Sequence, residues 1–253
     1  MRADALLVAR GLVPSRTVAQ RLITAGHVFA RASGGTRSAL TRPGFDVADD
    51  VAIEIEPNPI TRFVSRGGIK LDAALQRTGI TTLGACCLDV GQSTGGFTDC
   101  LIQRGAAHVV GVDVGHDQLH QSLRDDSRVT CLEGVNARAL SRELLASLGV
   151  SVPMPFDLIV ADVSFISLTK VLPAWPPLLR PGGAVLALVK PQFEAGPEAI
   201  GRGGIVRDAA AWQRVEQIVR AACATVSLHV RDYFASSIAG GDGNREFFVH
   251  ATT

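Results

Sequence analysis

The chain has 253 residues, 47% of them hydrophobic and 19% charged, with a formal net charge of +1. That is enough apolar material for a packed core and too little charge for a disordered chain, and it excludes a polycation that binds nucleic acid through bulk charge. Five cysteines (Cys86, Cys87, Cys100, Cys131 and Cys223) form no C-x-x-C pair, and the longest run free of Asp, Glu, Lys and Arg, Leu144 to Phe156, has 13 residues; the odd count argues against a secreted disulfide framework, and the run is too short to span a bilayer. The apolar stretch in MRADALLVAR is too brief for a signal peptide, so a cytoplasmic protein with no membrane contact is expected.

In chain order, residues 1 to 45 carry seven arginines against a single acid, Asp4, whereas Asp46 to Glu56 carries five acids and no base. Ser15 is a good N-cap for a helix over RTVAQRLITA, which Gly26 stops, and VAIEIE alternates with the period of a strand. Pro57-Asn58-Pro59 blocks regular structure, which predicts a basic module at 1–58, a linker at 59–62 and a larger domain at 63–253. The surplus of arginine points to a phosphate-facing surface, with Arg10, Arg16 and Arg21, and Arg66 beyond the linker, as candidate RNA contacts. The segment ADALLVARGLVPSRTVAQRLITAGHV resembles the S4 RNA-binding module. ARASGGTRSAL departs from that module's usual hairpin.

From residue 86 onward, apolar β-rich runs (86–90, 108–114, 128–133, 156–163, 184–190, 226–233 and 246–251) alternate with helical stretches near 97–104, 116–125, 139–147, 167–179 and 208–224. Strands that are apolar throughout and separated by helices predict an α/β fold with a mostly parallel sheet, whose ligands bind at the carboxyl ends of its strands. The first of these strands runs into Asp89-Val90-Gly91-Gln92-Ser93-Thr94-Gly95-Gly96-Phe97. A dinucleotide fingerprint needs G-x-G-x-x-G, whereas this turn reads G-x-x-x-G-G, and an acid at Asp89 would face a pyrophosphate unfavourably. An acid suits the cationic amino-acid end of S-adenosylmethionine, and Asp113, at the end of the next strand, is placed to accept from ribose hydroxyls. Candidate cofactor contacts are Asp89, Gly91, Gln92, Ser93, Thr94, Gly95, Gly96, Phe97, Asp113, Asn136 and Asp162.

Of 25 basic residues only Lys70, Lys170 and Lys190 are lysine, the one of the two that can lose its proton. Lys70, Asp162, Lys190 and Glu246 match, one by one, the K-D-K-E tetrad of FtsJ-like ribose 2′-O-methyltransferases. SRGGIKL, LDVGQSTGGFTDCLIQRGA, DVSFISLTKVLP, LVKPQFEAG and GGIVRD together resemble the hemolysin-A (TlyA-type) family, and the resemblance covers nearly the whole chain. It implies a Rossmann-like class I S-adenosylmethionine methyltransferase domain with a seven-stranded sheet behind a small S4-like α+β domain. It further implies ribosomal RNA or ribosomal subunits as partner, with a cytidine ribose as acceptor. The implied reaction is an in-line methyl transfer that needs no metal, with Lys190 nearest the 2′-hydroxyl, Asp162 and Glu246 orienting it, and Lys70 steering the phosphate or ribose. Gln92 stands where the family usually has a small residue, and the segment His116–His120 where an aromatic-rich one is usual. The alternatives are a non-catalytic RNA-binding protein, a membrane-lytic hemolysin, which would need a spanning or strongly amphipathic segment, and an NAD-dependent enzyme, which the glycine spacing disfavours.

Overall fold

A computed structural model describes residues 1–13, 15–32, 35–56, 62–151 and 155–253, and the chain divides into two units, Met1–Phe63 and Val64–Thr253. The expected linker lies, apart from Arg62, outside the described residues, as does Pro57-Asn58-Pro59.

The first unit contains α1 (Ala3–Ala9), α2 (Arg16–Thr24), β1 (Val28–Arg31), β2 (Ser38–Ala39) and β3 (Ala52–Ile55). Ser15 caps α2, its side chain accepting from the Val18 amide at 3.4 Å, and β1 is flanked on both sides by antiparallel partners in the order β2-β1-β3. Leu7, Leu22, Ile23 and Val28 are wholly buried in its core. Asp4 is buried among them and accepts from Arg2, Arg16 and Gln20, which hold its carboxyl well below the usual carboxylate range.

The second unit contains α3 (Arg66–Thr78), β4 (Cys86–Val90), α4 (Gly96–Gln103), β5 (His108–Val112), α5 (Gln121–Arg124), β6 (Val129–Leu132), α6 (Arg142–Ser147), β7 (Phe156–Ala161), β8 (Leu179–Val189), α7 (Pro191–Glu194), α8 (Ala209–Thr225), β9 (His229–Ala235) and β10 (Phe247–Thr252). The seven strands form one sheet in the order β6-β5-β4-β7-β8-β10-β9, in which β10 alone runs against its neighbours. This is the mostly parallel α/β sheet expected. The strand order reverses at β4, where consecutive connections leave in opposite directions and open a crevice above the strand ends. The core under it is built from residues such as Leu88, Ile159, Val185, Trp175 and Val249, all fully buried.

Three expected helices come out differently. The segment 167–179 forms three short 3-10 turns, Leu168–Lys170, Leu172–Ala174 and Pro176–Leu178, because Pro173, Pro176 and Pro177 remove the amide donors a continuous helix needs. Of 116–125, only Gln121–Arg124 is helical. Asp117, at φ +56°, breaks the helical run before it. Of 139–147, only 142–147 is α-helical, preceded by a 3-10 turn at Ala137–Ala139. The strand expected at 184–190 begins earlier, at Leu179, and ends at Val189, so that Lys190 stands at the N-cap of α7.

Candidate active site

The glycine turn between β4 and α4 is shaped by close approach to the next strand end. Gly91 has φ +86°, and a Cβ there would lie 2.6 Å from the backbone oxygen of Asp162, so only glycine lets the two strand ends come together. The turn, β5, and the segments 135–138 and 162–166 enclose a cleft of about 630 Å³, whose walls include Ser93, Asp113, Gln118, Asn136, Asp162 and Phe165. A smaller cavity of about 140 Å³ adjoins it, bounded by Ser65, Gly67, Thr94, Gly96, Phe97 and Lys190. Gly91, Ser93, Asp162 and Ser164 line both.

Asp89, fully buried in β4, accepts from the Thr98 hydroxyl at 2.7 Å through Oδ2, while its Oδ1 is buried without a partner. Burial pushes its carboxyl up to about 7, and the carboxylates of Asp162 and Asp113 add to the effect. Three acids thus converge beneath one glycine turn. That concentration of negative charge, with one buried oxygen unsatisfied, fits a ligand with a cationic centre and is unfavourable for a pyrophosphate. Asp113 is held from both sides: Oδ2 accepts from the Ser93 amide at 2.7 Å and Oδ1 from the Gly115 amide at 2.8 Å. Each oxygen keeps a lone pair that can accept from a hydroxyl in the cleft. Asn136 lines the same cleft, with its Oδ1 capping the 3-10 turn through the Arg138 amide at 3.0 Å.

The remaining cofactor candidates divide between cavity and interior. Phe97 is buried and stacks on Phe248 of β10, with ring centroids 6.2 Å apart. Gln92 is buried as well. Its amide donates to the Thr98 hydroxyl at 2.9 Å and lies against Gly111 of β5, where a Cβ would run into it. The larger residue in the turn is therefore housed by a missing side chain on the neighbouring strand. Gly95 caps α4 at φ +91°.

Lys70, Asp162, Lys190 and Glu246 come from four elements and form two ion pairs. Lys70, on α3, meets Glu246 at 2.6 Å, and both side chains are buried, 8% and 3% exposed. Lys190 meets Asp162 Oδ1 at 2.7 Å. The antiparallel register, with Phe247 opposite Val189, sets Glu246 at the strand end beside Lys190, and burial pushes the Glu246 carboxyl up even though Lys70 and Lys190 oppose it. Sequence reasoning missed one member of this group. Ser164 accepts from Lys190 Nζ at 2.7 Å, and its only sequence signal is its place two residues after Asp162.

The arginines singled out from the sequence are unevenly engaged. Arg10 donates to the backbone oxygens of Val51, at 2.6 Å, and of Asp49. Arg16 pairs with Asp4 at 3.1 Å while remaining 56% exposed, and Arg66 donates to the Ala239 oxygen at 2.6 Å. Arg21 is exposed on α2. Among the described residues no cluster of three or more His, Cys, Asp or Glu is assembled that could hold a metal ion, and no helix is long and apolar enough to cross a membrane.

Comparison with known proteins agrees with this fold. The FtsJ-like methyltransferase family matches residues 63–253, and the S4 domain matches residues 1–29. The 16S/23S rRNA (cytidine-2′-O)-methyltransferase TlyA of Mycobacterium tuberculosis is 43% identical over 252 residues, covering 100% of this chain and 90% of that one. Hemolysin A of Brachyspira hyodysenteriae is 36% identical over 250 residues, covering 99% of each. The solved structure of a candidate hemolysin from Streptococcus thermophilus superposes with a TM-score of 0.74 at 38% identity, over 100% of this chain and 88% of that one. With its seven-stranded sheet and acid-lined glycine turn, the chain belongs to the FtsJ-like methyltransferase family and carries an S4 domain at its amino-terminal end.

Proposed function

We propose that this protein transfers a methyl group from S-adenosylmethionine to the ribose 2′-oxygen of a cytidine in ribosomal RNA, acting in the cytoplasm on ribosomal subunits. The observation that carries the reading is the Lys190–Asp162 ion pair, 2.7 Å long, at the junction of the acid-lined cleft and the smaller cavity. The curated relative from Mycobacterium tuberculosis is named for this reaction.

Asp89 and Asp113 would hold the cofactor by its ammonium and ribose ends, with Gly91 and Ser93 under it and Asn136 beside its base. When bound, S-adenosylmethionine supplies an electrophilic methyl group on a positively charged sulfur, which needs no further activation by a metal. Lys190 would engage the ribose 2′-oxygen and stabilise the charge that develops on it, within hydrogen-bond reach as such a group requires. Asp162 holds the Lys190 side chain in place by direct pairing. Lys70 and Glu246, paired and buried behind it, would fix the far wall of the acceptor position and balance the local charge. Arg21 in the first unit and Arg66 in the second are assigned to RNA phosphates, while Arg10 holds the loop at Asp49–Val51 and Arg16 is paired with buried Asp4.

The test is transfer of labelled methyl from S-adenosylmethionine to purified ribosomal subunits that lack the modification, with wild type beside Lys190→Ala. The expected outcome is label in a ribose with wild type and a loss of 100-fold or more in the variant, about 3 kcal/mol of barrier. Equal label from both proteins would remove Lys190 from the reaction. No label from wild type on either subunit despite measured cofactor binding would mean that the substrate is another RNA or that the tetrad is idle, as in a non-catalytic RNA-binding protein.

A further inference from the structure

We infer that Ser164 is a fifth member of the acceptor site, a positioning residue that aims Lys190 at the ribose oxygen. The inference rests on the methyl-transfer reading above and deepens it.

Lys190 Nζ is tetrahedral, bonded to Cε and left with three further directions. Ser164 Oγ takes one as an aligned hydrogen bond at 2.7 Å, whereas Asp162 Oδ1, 2.7 Å away, is an ion-pair partner that lies outside hydrogen-bond alignment. Lys190, Asp162 and Ser164 all line the small cavity against the glycine turn. Charge attraction to Asp162 holds the nitrogen in place, and the hydrogen bond to Ser164 is the contact that sets its rotation, and with it the directions left for the ribose oxygen. With Asp162 as the sole anchor the nitrogen could turn about the Cδ–Cε and Cε–Nζ bonds, and an N–H freed from Ser164 would compete for the same place.

The chain is built to hold the hydroxyl there. Asp162 and Ser164 follow β7 directly, and β7 pairs in parallel with β8, whose end carries Lys190. Phe165, at φ +62°, turns the backbone sharply just after Ser164. The side chain of Lys190 is itself only 12% exposed, so its orientation is set by these neighbours more than by water. Ser164, by contrast, is exposed, and trimming its hydroxyl opens no void in the core.

The experiment uses the full chain with S-adenosylmethionine and unmodified ribosomal subunits, comparing wild type, Ser164→Ala, Ser164→Thr and Lys190→Ala. Ser164→Ala is expected to lower kcat about 10-fold or more while the KM for cofactor and the affinity for subunits stay within about twofold, the signature of an interaction that counts in the transition state. Ser164→Thr, which keeps an acceptor oxygen on the same carbon, is expected to recover to within about threefold of wild type. A merely structural role would lower the melting temperature of the alanine variant, and the expected change is about a degree or less. Ser164→Ala at the wild-type kcat beside an inactive Lys190→Ala overturns the inference and leaves the reaction standing. So does a threonine variant as slow as alanine, or a loss confined to cofactor affinity. Undiminished transfer by Lys190→Ala overturns the reading of the reaction itself.

Discussion

Asp89 carries a conflict between burial and charge. Its carboxyl is fully buried, accepts from the Thr98 hydroxyl, leaves Oδ1 unsatisfied and sits near two other acids, and burial above all holds it up to about 7. The folded value lies above the unfolded value of about 3.8, so between those values the native state binds the extra proton and stability falls as pH rises, with the full penalty above about 7. Asp89→Asn removes that dependence. Melting temperatures taken from pH 5 to pH 8 without cofactor should shift in the variant's favour up to about pH 7 and then run level, and parallel curves throughout would mean that Asp89 does not titrate in this range. Cofactor binding runs the other way. A cationic group needs the ionised carboxylate, so wild-type affinity should rise through pH 6–7 with a proton released on binding, seen by calorimetry in buffers of different ionisation enthalpy. The asparagine variant should bind far more weakly and without that release. Gln92 makes a second residue-scale case. Gly111→Ala puts a methyl group into the Gln92 amide and should cost about 1–3 kcal/mol, and a second change, Gln92→Ala, should recover most of it if the two positions share one space.

The four elements that meet at the candidate site explain what was legible in the sequence. Strand ends could be located from apolar runs, and a parallel sheet brings such ends to one edge, so the order of residues along the chain was enough to group Asp89, Asp113, Asp162 and Lys190. Glu246 could be grouped only on the premise that the last strand is reversed, which the β8–β10 register bears out. Ser164 could not be found this way, because its role depends on where Lys190 Nζ turns within a few ångströms, and no periodicity encodes that. The misjudged helices fail for local reasons: prolines 173, 176 and 177 outweigh an apolar pattern that would otherwise read as helix. At this scale the Lys70–Glu246 pair joins α3 to the start of β10 inside the protein. Lys70→Met strands a buried carboxylate whose protonated form burial already favours. The expected cost is about 3–5 kcal/mol at neutral pH, easing as pH falls and Glu246 takes up a proton. The double change Lys70→Met with Glu246→Gln should regain much of that stability in denaturant unfolding while methyl transfer remains lost. A double variant no more stable than the single one would mean that the helix is held by other contacts.

Across the whole chain, positive charge is divided between arginines the fold consumes and arginines it leaves free. Arg2 and Arg16 are tied to buried Asp4, Arg10 to two carbonyl oxygens, and Arg37 to Glu54 and Glu56. Arg21, Arg31 and Arg42 are exposed and carry no side-chain ion pair among the described residues. Composition could count these seven residues but could not say which were spoken for, since Asp4, the single acid in the first 45 residues, draws in two of them. The distinction has a thermodynamic signature. A cation that neutralises an RNA phosphate releases counterions, so its loss lowers the slope of log affinity against log salt by about 0.7–0.9 per contact. Arg21→Ala, Arg31→Ala and Arg42→Ala should each weaken binding to ribosomal subunits and flatten that slope without moving the melting temperature. Arg10→Ala should lower the melting temperature, because two carbonyl oxygens lose their donor, and should leave the slope as it was. Binding measured at four or five salt concentrations for the four variants separates the two classes. A flattened slope for Arg10→Ala with unchanged stability would mean that its guanidinium leaves those carbonyls for RNA, and the division between scaffold and contact arginines would have to be redrawn.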